Sequence, residues 1–160
     1  MKVAATRFDV RRYGGRVESH VHGHHQIVLP LGDGAQSRLD MEIGGAVDGV
    51  GGTRAAAVPS GRTHAFQATG SAPLKSPFLV VDLPAGPGLG PMDDRRFWSL
   101  AAEAPFVDFD PALAGLTHFI AANVGQVGFR GLRAEVAGGM IVEALARGAG
   151  LPVEPVARPL

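Results

Sequence analysis

Glycine and proline interrupt the first 84 residues so often that short segments, rather than long helices, must build this part of the chain; the whole chain holds 23 glycines and 12 prolines. The apolar segments between these breakers have the length of β-strands, about four to eight residues. Strands joined by only a few residues pair antiparallel, because a parallel crossover needs about a dozen residues or more. We therefore predict a mostly antiparallel sandwich or barrel over residues 1–84, with strands at Val3–Phe8, Val17–His22, His25–Leu31, Ser37–Ile43, Thr53–Val58, His64–Ala68 and Pro77–Leu83.

The pattern changes after Pro84. Residues 85–91 are a connector rich in glycine and proline, and residues 92–150 are predicted to be helical. One helix is expected over Arg95–Ala104, and Asp110 with Pro111 forms a typical N-cap and first turn for a second. A third is expected from about residue 131 to 147. Residues 151–160 contain three prolines and are predicted to form an extended linker or tail.

Composition excludes several classes of protein. The formal net charge is +0 with no basic cluster, which argues against a nucleic-acid-binding module, and the absence of cysteine excludes disulfides and thiolate metal sites. No apolar run approaches the roughly 18 residues of a membrane span, and the N-terminus resembles no secretory signal. We therefore expect a cytoplasmic protein that has no direct contact with membrane or nucleic acid.

Histidines are concentrated in one short window, where residues 20–26 read HVHGHHQ. If strand alternation is regular, His20, His22, His24 and Gln26 share one face, although Gly23 is a natural position for a slip. His64 opens a later predicted strand. Imidazole is the commonest metal ligand in proteins, so this pattern suits a metal site. It also suits a solvated strand face or a polar pocket lining.

The spacing around these residues resembles the two sequence motifs of the cupin superfamily. Gly14, His20, His22 and Gln26, followed by glycines at 32 and 34, match the first motif, and Gly52, Pro59, Gly61 and His64 match the second. The resemblance implies a cupin-type double-stranded β-helix, a jelly-roll barrel, followed by two or three helices. It also implies metal ligands at His20, His22, Gln26 and His64.

The chain departs from the family pattern at two positions, and its second motif has one extra residue between Gly52 and Pro59. Gln26 stands where the first motif usually has glutamate, and Ala68 stands where the second usually ends in asparagine. Glutamine is a neutral ligand, so this substitution favours metals that prefer imidazole, namely zinc, nickel, copper or iron.

A closer resemblance is to the N-terminal sensor domain of AraC-type transcriptional regulators. It is carried by the segments from His22 to Leu31, Val58 to Phe66 and Phe78 to Pro84, and by the order barrel, helices and linker. The resemblance implies a domain that binds a small-molecule effector and dimerises. It implies DNA binding by a C-terminal helix-turn-helix domain that this chain lacks. Effector-binding candidates in the barrel are His24 and Phe66, the latter sharing parity with His64.

The last helix is the predicted site of homodimerisation. Val136, Met140 and Leu145 lie on its apolar stripe, and Gly138 and Gly139 would let a second helix approach closely. Packing of the same residues against the chain's own barrel is an equally good interpretation.

Two other functions remain open. The first is a stand-alone metal-dependent cupin enzyme of dioxygenase or isomerase type, for which the sequence offers no carboxylate at position 26 and no evident general base beyond histidine. The second is a purely structural dimerisation module with a degenerate pocket. We expect a sensor domain rather than an enzyme, and we assign no catalytic residue.

Overall fold

The computed structural model describes residues 5–32, 38–68, 77–85, 94–126 and 129–151. Eight strands come first, followed by three helices with a short ninth strand after the first helix. In chain order the elements are β1 (Arg7–Arg11), β2 (Arg16–His20), β3 (His25–Pro30), β4 (Leu39–Ile43), β5 (Ala46–Val50), β6 (Arg54–Val58), β7 (His64–Ala68), β8 (Phe78–Leu83), α1 (Arg95–Glu103), β9 (Phe106–Asp108), α2 (Pro111–Asn123) and α3 (Leu132–Gly148).

The strands form two antiparallel sheets, in the orders β1-β8-β3-β6-β9 and β2-β7-β4-β5. Among the first eight strands, β1 pairs with β8, β2 with β7, β3 with β6 and β4 with β5. This is the pairing of one long hairpin wound into two facing sheets, which defines the jelly roll. The predicted fold class, a jelly-roll barrel followed by helices, is confirmed.

Successive side chains of β3 and β8 point to opposite faces of the sheet, so these strands contribute to two separate apolar cores. Val28 and Val80 face the barrel interior, where they pack with Met41, Phe66 and Phe78. Their neighbours in sequence face outward and lie beneath the helices, together with Phe97, Ile141 and Leu145. Because β3 is covered on both faces, it reads as a nearly continuous apolar run.

The strand predictions differ from the structure at three places. The first strand is Arg7–Arg11 rather than Val3–Phe8, and residues 1–4 lie outside the described part. The strand Ala46–Val50 was not predicted, because glycines on both sides of it and within it indicated only breakers. Gly49 faces the Arg38 side chain, whose Nε would overlap a Cβ at this position. The three-residue strand β9 was too short to detect.

The helices lie against the outer face of the five-stranded sheet. At the start of α2, the Asp110 carboxylate accepts a hydrogen bond from Ala112 N and Pro111 occupies the first turn, as expected. No helix in the described ranges is long and apolar enough to cross a membrane. Most of the predicted connector (86–91) and of the tail (152–160) lies outside the described residues.

The structure corrects part of the predicted dimer face. Leu145 is fully buried in the chain's own core and offers no surface to a second molecule. Gly138 also faces the chain itself, since a Cβ there would lie 2.9 Å from Thr6 Cγ2 and 3.1 Å from Leu83 Cδ2. Its missing side chain lets α3 approach its own barrel.

Candidate metal centre

Three histidines converge at one end of the barrel. One ring nitrogen from each of His20, His22 and His64 lies within 4.8 Å of the other two. The ring centroids are 4.1 Å apart for His20 and His64, 4.7 Å for His20 and His22, and 5.0 Å for His22 and His64. We call these three residues the histidine cluster. Three neutral imidazoles facing a common point are a ligand set for a divalent transition metal.

Two elements of the smaller sheet and a connecting segment bring the cluster together. His20 ends β2 and pairs directly with His64 at the start of β7. The register shifts between Val17, which pairs with Phe66, and His20, so β2 carries one extra residue there. This bulge places His20 on the face of β7 that carries both His64 and Phe66. His22 follows in the segment that crosses to the other sheet.

The regular pairing that would place His20, His22, His24 and Gln26 on one strand face does not occur. The strand ends at His20, and Gln26 belongs to β3 in the opposite sheet. The register slips between Val17 and His20 rather than at Gly23. The histidines meet because the chain crosses between the two sheets, not because they alternate on one strand.

Backbone carbonyls fix which nitrogen two of the rings present. His20 Nδ1 lies 2.9 Å from the Glu18 carbonyl oxygen, and His64 Nδ1 lies 3.1 Å from that of Arg62. A carbonyl can only accept, so Nδ1 carries the proton and Nε2 keeps its lone pair. A hydrogen bond at the other ring nitrogen is the usual arrangement of a metal-binding histidine. His64 Nε2 is buried and has no hydrogen-bond partner among the described residues.

Burial keeps His22 and His64 in the neutral, ligating form. Desolvation lowers the pKa of His64 to about 4, and the nearby His20 and His22 act in the same direction. The pKa of His22 is also lowered, first by desolvation and then by His20 and His24. Only a neutral imidazole binds a metal, so both groups are in the binding state at pH 7.

The turn before His64 is hydrogen-bonded to the segment that carries His22. Gly61 has a φ of 81°, which glycine adopts without strain, and its N–H donates to the His22 carbonyl at 2.9 Å. In the same turn, Ser60 N–H donates to His25 Nδ1 at 2.9 Å. His25 faces outward, where its ring stacks on Trp98 at 3.9 Å, and burial lowers its pKa to about 4.

Gln26 and His24 meet at a carboxylate that the sequence did not single out. Gln26 pairs with Asp82 across β3 and β8, and its Nε2 donates to Asp82 Oδ1 at 2.9 Å. His24 Nε2 lies 3.1 Å from the same oxygen, and Arg7 Nη2 lies 3.6 Å from Oδ2. The His24 ring stacks on His22 with centroids 4.7 Å apart. The only sequence signal for Asp82 is a single acidic residue within an otherwise apolar strand.

Phe66 faces the barrel interior beside the cluster, with its ring 5.5 Å from His64 and 5.7 Å from His20. Tyr13, which no sequence motif selects, stacks on Phe66 at 5.2 Å. The Tyr13 hydroxyl is buried without a hydrogen-bond partner among the described residues, and burial raises its pKa. The interior next to the cluster is therefore aromatic.

The exposed face of α3 carries the remaining predicted residues. Val136 is 47% exposed and Met140 48% exposed, and Leu132 continues the same stripe at 78%. Met140 also borders a groove of about 540 Å³ between α2 and α3, with Leu116 and Arg147 among its lining residues.

Comparison with known proteins gave partial structural matches and no sequence match. The sequence matches no protein-family model, and no curated protein is significantly similar to it. Oxalate decarboxylase from Bacillus subtilis, a protein with Mn(II) centres, is 21% identical over 50% of this chain and 21% of its own, with a TM-score of 0.41. The matched part thus spans about a fifth of that enzyme.

Two further structures match over about half of this chain. A cupin-2 domain protein from Shewanella frigidimarina is 12% identical over 53% of this chain and 76% of its own, with a TM-score of 0.41. A protein of unknown function from Streptococcus pyogenes is 17% identical over 51% and 67%, also with a TM-score of 0.41. Likeness at this level does not indicate a shared function.

Proposed function

We propose that the barrel binds one divalent transition-metal ion at His20, His22 and His64, and that the chain is a metal-dependent small-molecule sensor domain. The observation that carries the proposal is the convergence of three ring nitrogens within 4.8 Å. The buried and unpartnered Nε2 of His64 supports it, because such an atom is costly unless something binds it. The imidazole set favours zinc, nickel, copper or iron.

Elemental analysis tests the metal site. Protein stripped with chelator, loaded with Zn²⁺ and desalted should retain one ion per chain. His22→Ala should lose the ion, whereas His118→Ala should keep it, because His118 is exposed on α2 away from the cluster. Equal retention by the two variants, or no zinc in the unaltered protein, would refute the site.

The finer role that we propose is the effector-binding and dimerisation domain of an AraC-type regulator. A small effector would lie in the barrel beside the ion, with His24 and Phe66 as contacts, and a separate helix-turn-helix domain would bind DNA. The aromatic layer of Phe66 and Tyr13 next to the cluster supports a ligand site of mixed character. A melting-temperature screen of sugars, aromatic acids and amines with the zinc-loaded protein should find a stabilising class. A screen without any shift would count against effector binding.

Homodimerisation through α3 is the second part of this role. The exposed apolar residues Val136 and Met140 support it, because large exposed apolar patches are uncommon on monomers. In sedimentation equilibrium, the double variant Val136→Glu/Met140→Glu should be monomeric. Val47→Glu is a matched control, since Val47 is 70% exposed on β5, and should remain dimeric. A dimer that survives the double substitution would place the interface elsewhere.

A metal-dependent cupin enzyme is the alternative. The specific observation in its favour is the number of ligands: three protein ligands leave a coordination position for substrate, as in catalytic zinc sites. Oxygen uptake by the iron-loaded protein in the presence of a phenol or a thiol would support a dioxygenase. Failure to turn over any such substrate, together with a specific effector, would support the sensor.

A further inference from the structure

Asp82 is a buried carboxylate next to the histidine cluster. The residue is 4% exposed, and it lies on the interior face of β8 opposite Gln26. A buried carboxylate is costly unless it is paired and hydrogen-bonded. Asp82 has such partners in Gln26, His24 and Arg7, which together contact both of its oxygens.

This carboxylate determines which way the Gln26 amide points. An ionised carboxylate only accepts hydrogen bonds, so the atom of Gln26 that faces it must be the NH₂ group. The reverse orientation would place the amide oxygen against the carboxylate oxygen. Because Nε2 donates to Asp82 Oδ1 at 2.9 Å, Gln26 Oε1 faces away from the carboxylate.

Gln26 Oε1 is one of the buried atoms for which the described residues offer no hydrogen-bond partner, and so is His64 Nε2. Asp82 Oδ1 connects Gln26 to the cluster, because the same oxygen contacts His24, whose ring stacks on His22. A bound cation would satisfy buried lone pairs such as these two.

We propose that Asp82 is a positioning residue that holds Gln26 as a neutral oxygen ligand for the ion at the histidine cluster. The inference rests on the proposed metal site, in which the motif resemblance already implies Gln26 as a ligand, and adds the residue that orients Gln26. The negative charge that this chain lacks at position 26 stands on the neighbouring strand, one hydrogen bond away from Gln26. The ion would therefore bind four neutral ligands, and the carboxylate of Asp82 nearby would offset part of its charge.

An exchange of the two groups tests this assignment. In the double variant Gln26→Glu/Asp82→Asn, the carboxylate moves to position 26 and the new amide on β8 can donate to it. We expect zinc binding close to that of the unaltered protein and a higher affinity for Mn²⁺ relative to Zn²⁺, since hard cations prefer carboxylate oxygen.

Asp82→Asn alone should weaken zinc binding by roughly 10–100-fold, as for other groups that support metal ligands. The control is Asp9→Asn, which removes an exposed carboxylate on β1 and should bind zinc unchanged.

Calorimetric titration with Zn²⁺ and Mn²⁺ gives these affinities, and the Gln26 side-chain amide in ¹⁵N spectra of the metal-free protein reports the hydrogen bond independently. The amide protons should shift in Asp82→Asn and not in Asp9→Asn. The role of Asp82 would be overturned if Asp82→Asn bound zinc within about twofold of the affinity of the unaltered protein. It would also be overturned if the ratio of Mn²⁺ to Zn²⁺ affinity were unchanged in the double variant. Absence of zinc binding in the unaltered protein would instead overturn the metal site itself. If Asp82→Asn does not fold, the double variant alone decides.

Discussion

Protonation of His64 should destabilise the metal-free protein at mildly acidic pH. His64 is 1% exposed, and burial lowers its pKa to about 4 from the ordinary 6.5. Between these two values the unfolded chain binds a proton that the folded chain does not. His64 thus lowers the free energy of unfolding progressively as the pH falls below 6.5, and the loss is complete only below about 4.

The magnitude follows from the two pKa values. At pH 5 the unfolded histidine is almost wholly protonated and the folded one almost wholly neutral, which costs about 2 kcal/mol of stability relative to pH 7. His25, whose pKa burial also lowers to about 4, adds a loss of the same sign. A comparison with a His64 variant cancels the contribution of His25.

His64→Asn isolates the effect of His64. The asparagine Nδ2 replaces the ring Nδ1 as donor to the Arg62 carbonyl but does not titrate. Urea unfolding in the presence of chelator, followed by the fluorescence of Trp98, the chain's only tryptophan, gives the stability at pH 7 and pH 5. The unaltered protein and His118→Asn should each lose about 2 kcal/mol more than His64→Asn over this range. Equal losses in all three proteins would refute the assigned burial of a neutral His64.

Three further predictions concern the helices. Gly115→Ala on α2 should stabilise the protein by about 1 kcal/mol in thermal unfolding, because a Cβ there meets nothing within 4 Å. Gly138→Ala on α3 should instead destabilise it by about 1–3 kcal/mol, because its Cβ would lie 2.9 Å from Thr6 Cγ2; a stabilised protein would contradict the close packing. Leu145→Ala should cost about 2–5 kcal/mol in urea unfolding, whereas the half-exposed Met140→Ala should change the stability by less than about 1 kcal/mol.

The sequence predicts much of the barrel because local signals and long-range packing agree there. The apolar run of β3 is buried on both faces, and the helix that follows Asp110 begins where its capping residues require. The strand Ala46–Val50 was missed because glycine usually ends strands, whereas Gly49 lies inside this strand and pairs with Asp40 of β4. Nothing in the sequence near residue 49 reports that contact.

The candidate site shows the same limit. Motif spacing selected His20, His22 and His64, but the bulge that brings His20 opposite His64 depends on pairing with a strand that is distant in the sequence. Asp82 was not selected as a site residue because its role depends on side chains that are distant in the sequence, namely Gln26 and His24. Likewise, the spacing of apolar residues along α3 predicts that Leu145 lies on the apolar face of the helix. It does not predict whether that face packs against the chain's own barrel or against a second molecule.

An anomalous difference map from crystals of the zinc-loaded protein tests the central claim most directly. Our account predicts one peak per chain, within about 2.1 Å of Nε2 of His20 and His64 and of a ring nitrogen of His22. Gln26 Oε1 should complete the coordination. A map without a peak between these three rings, or a zinc ion bound only at surface histidines such as His118, would contradict the account.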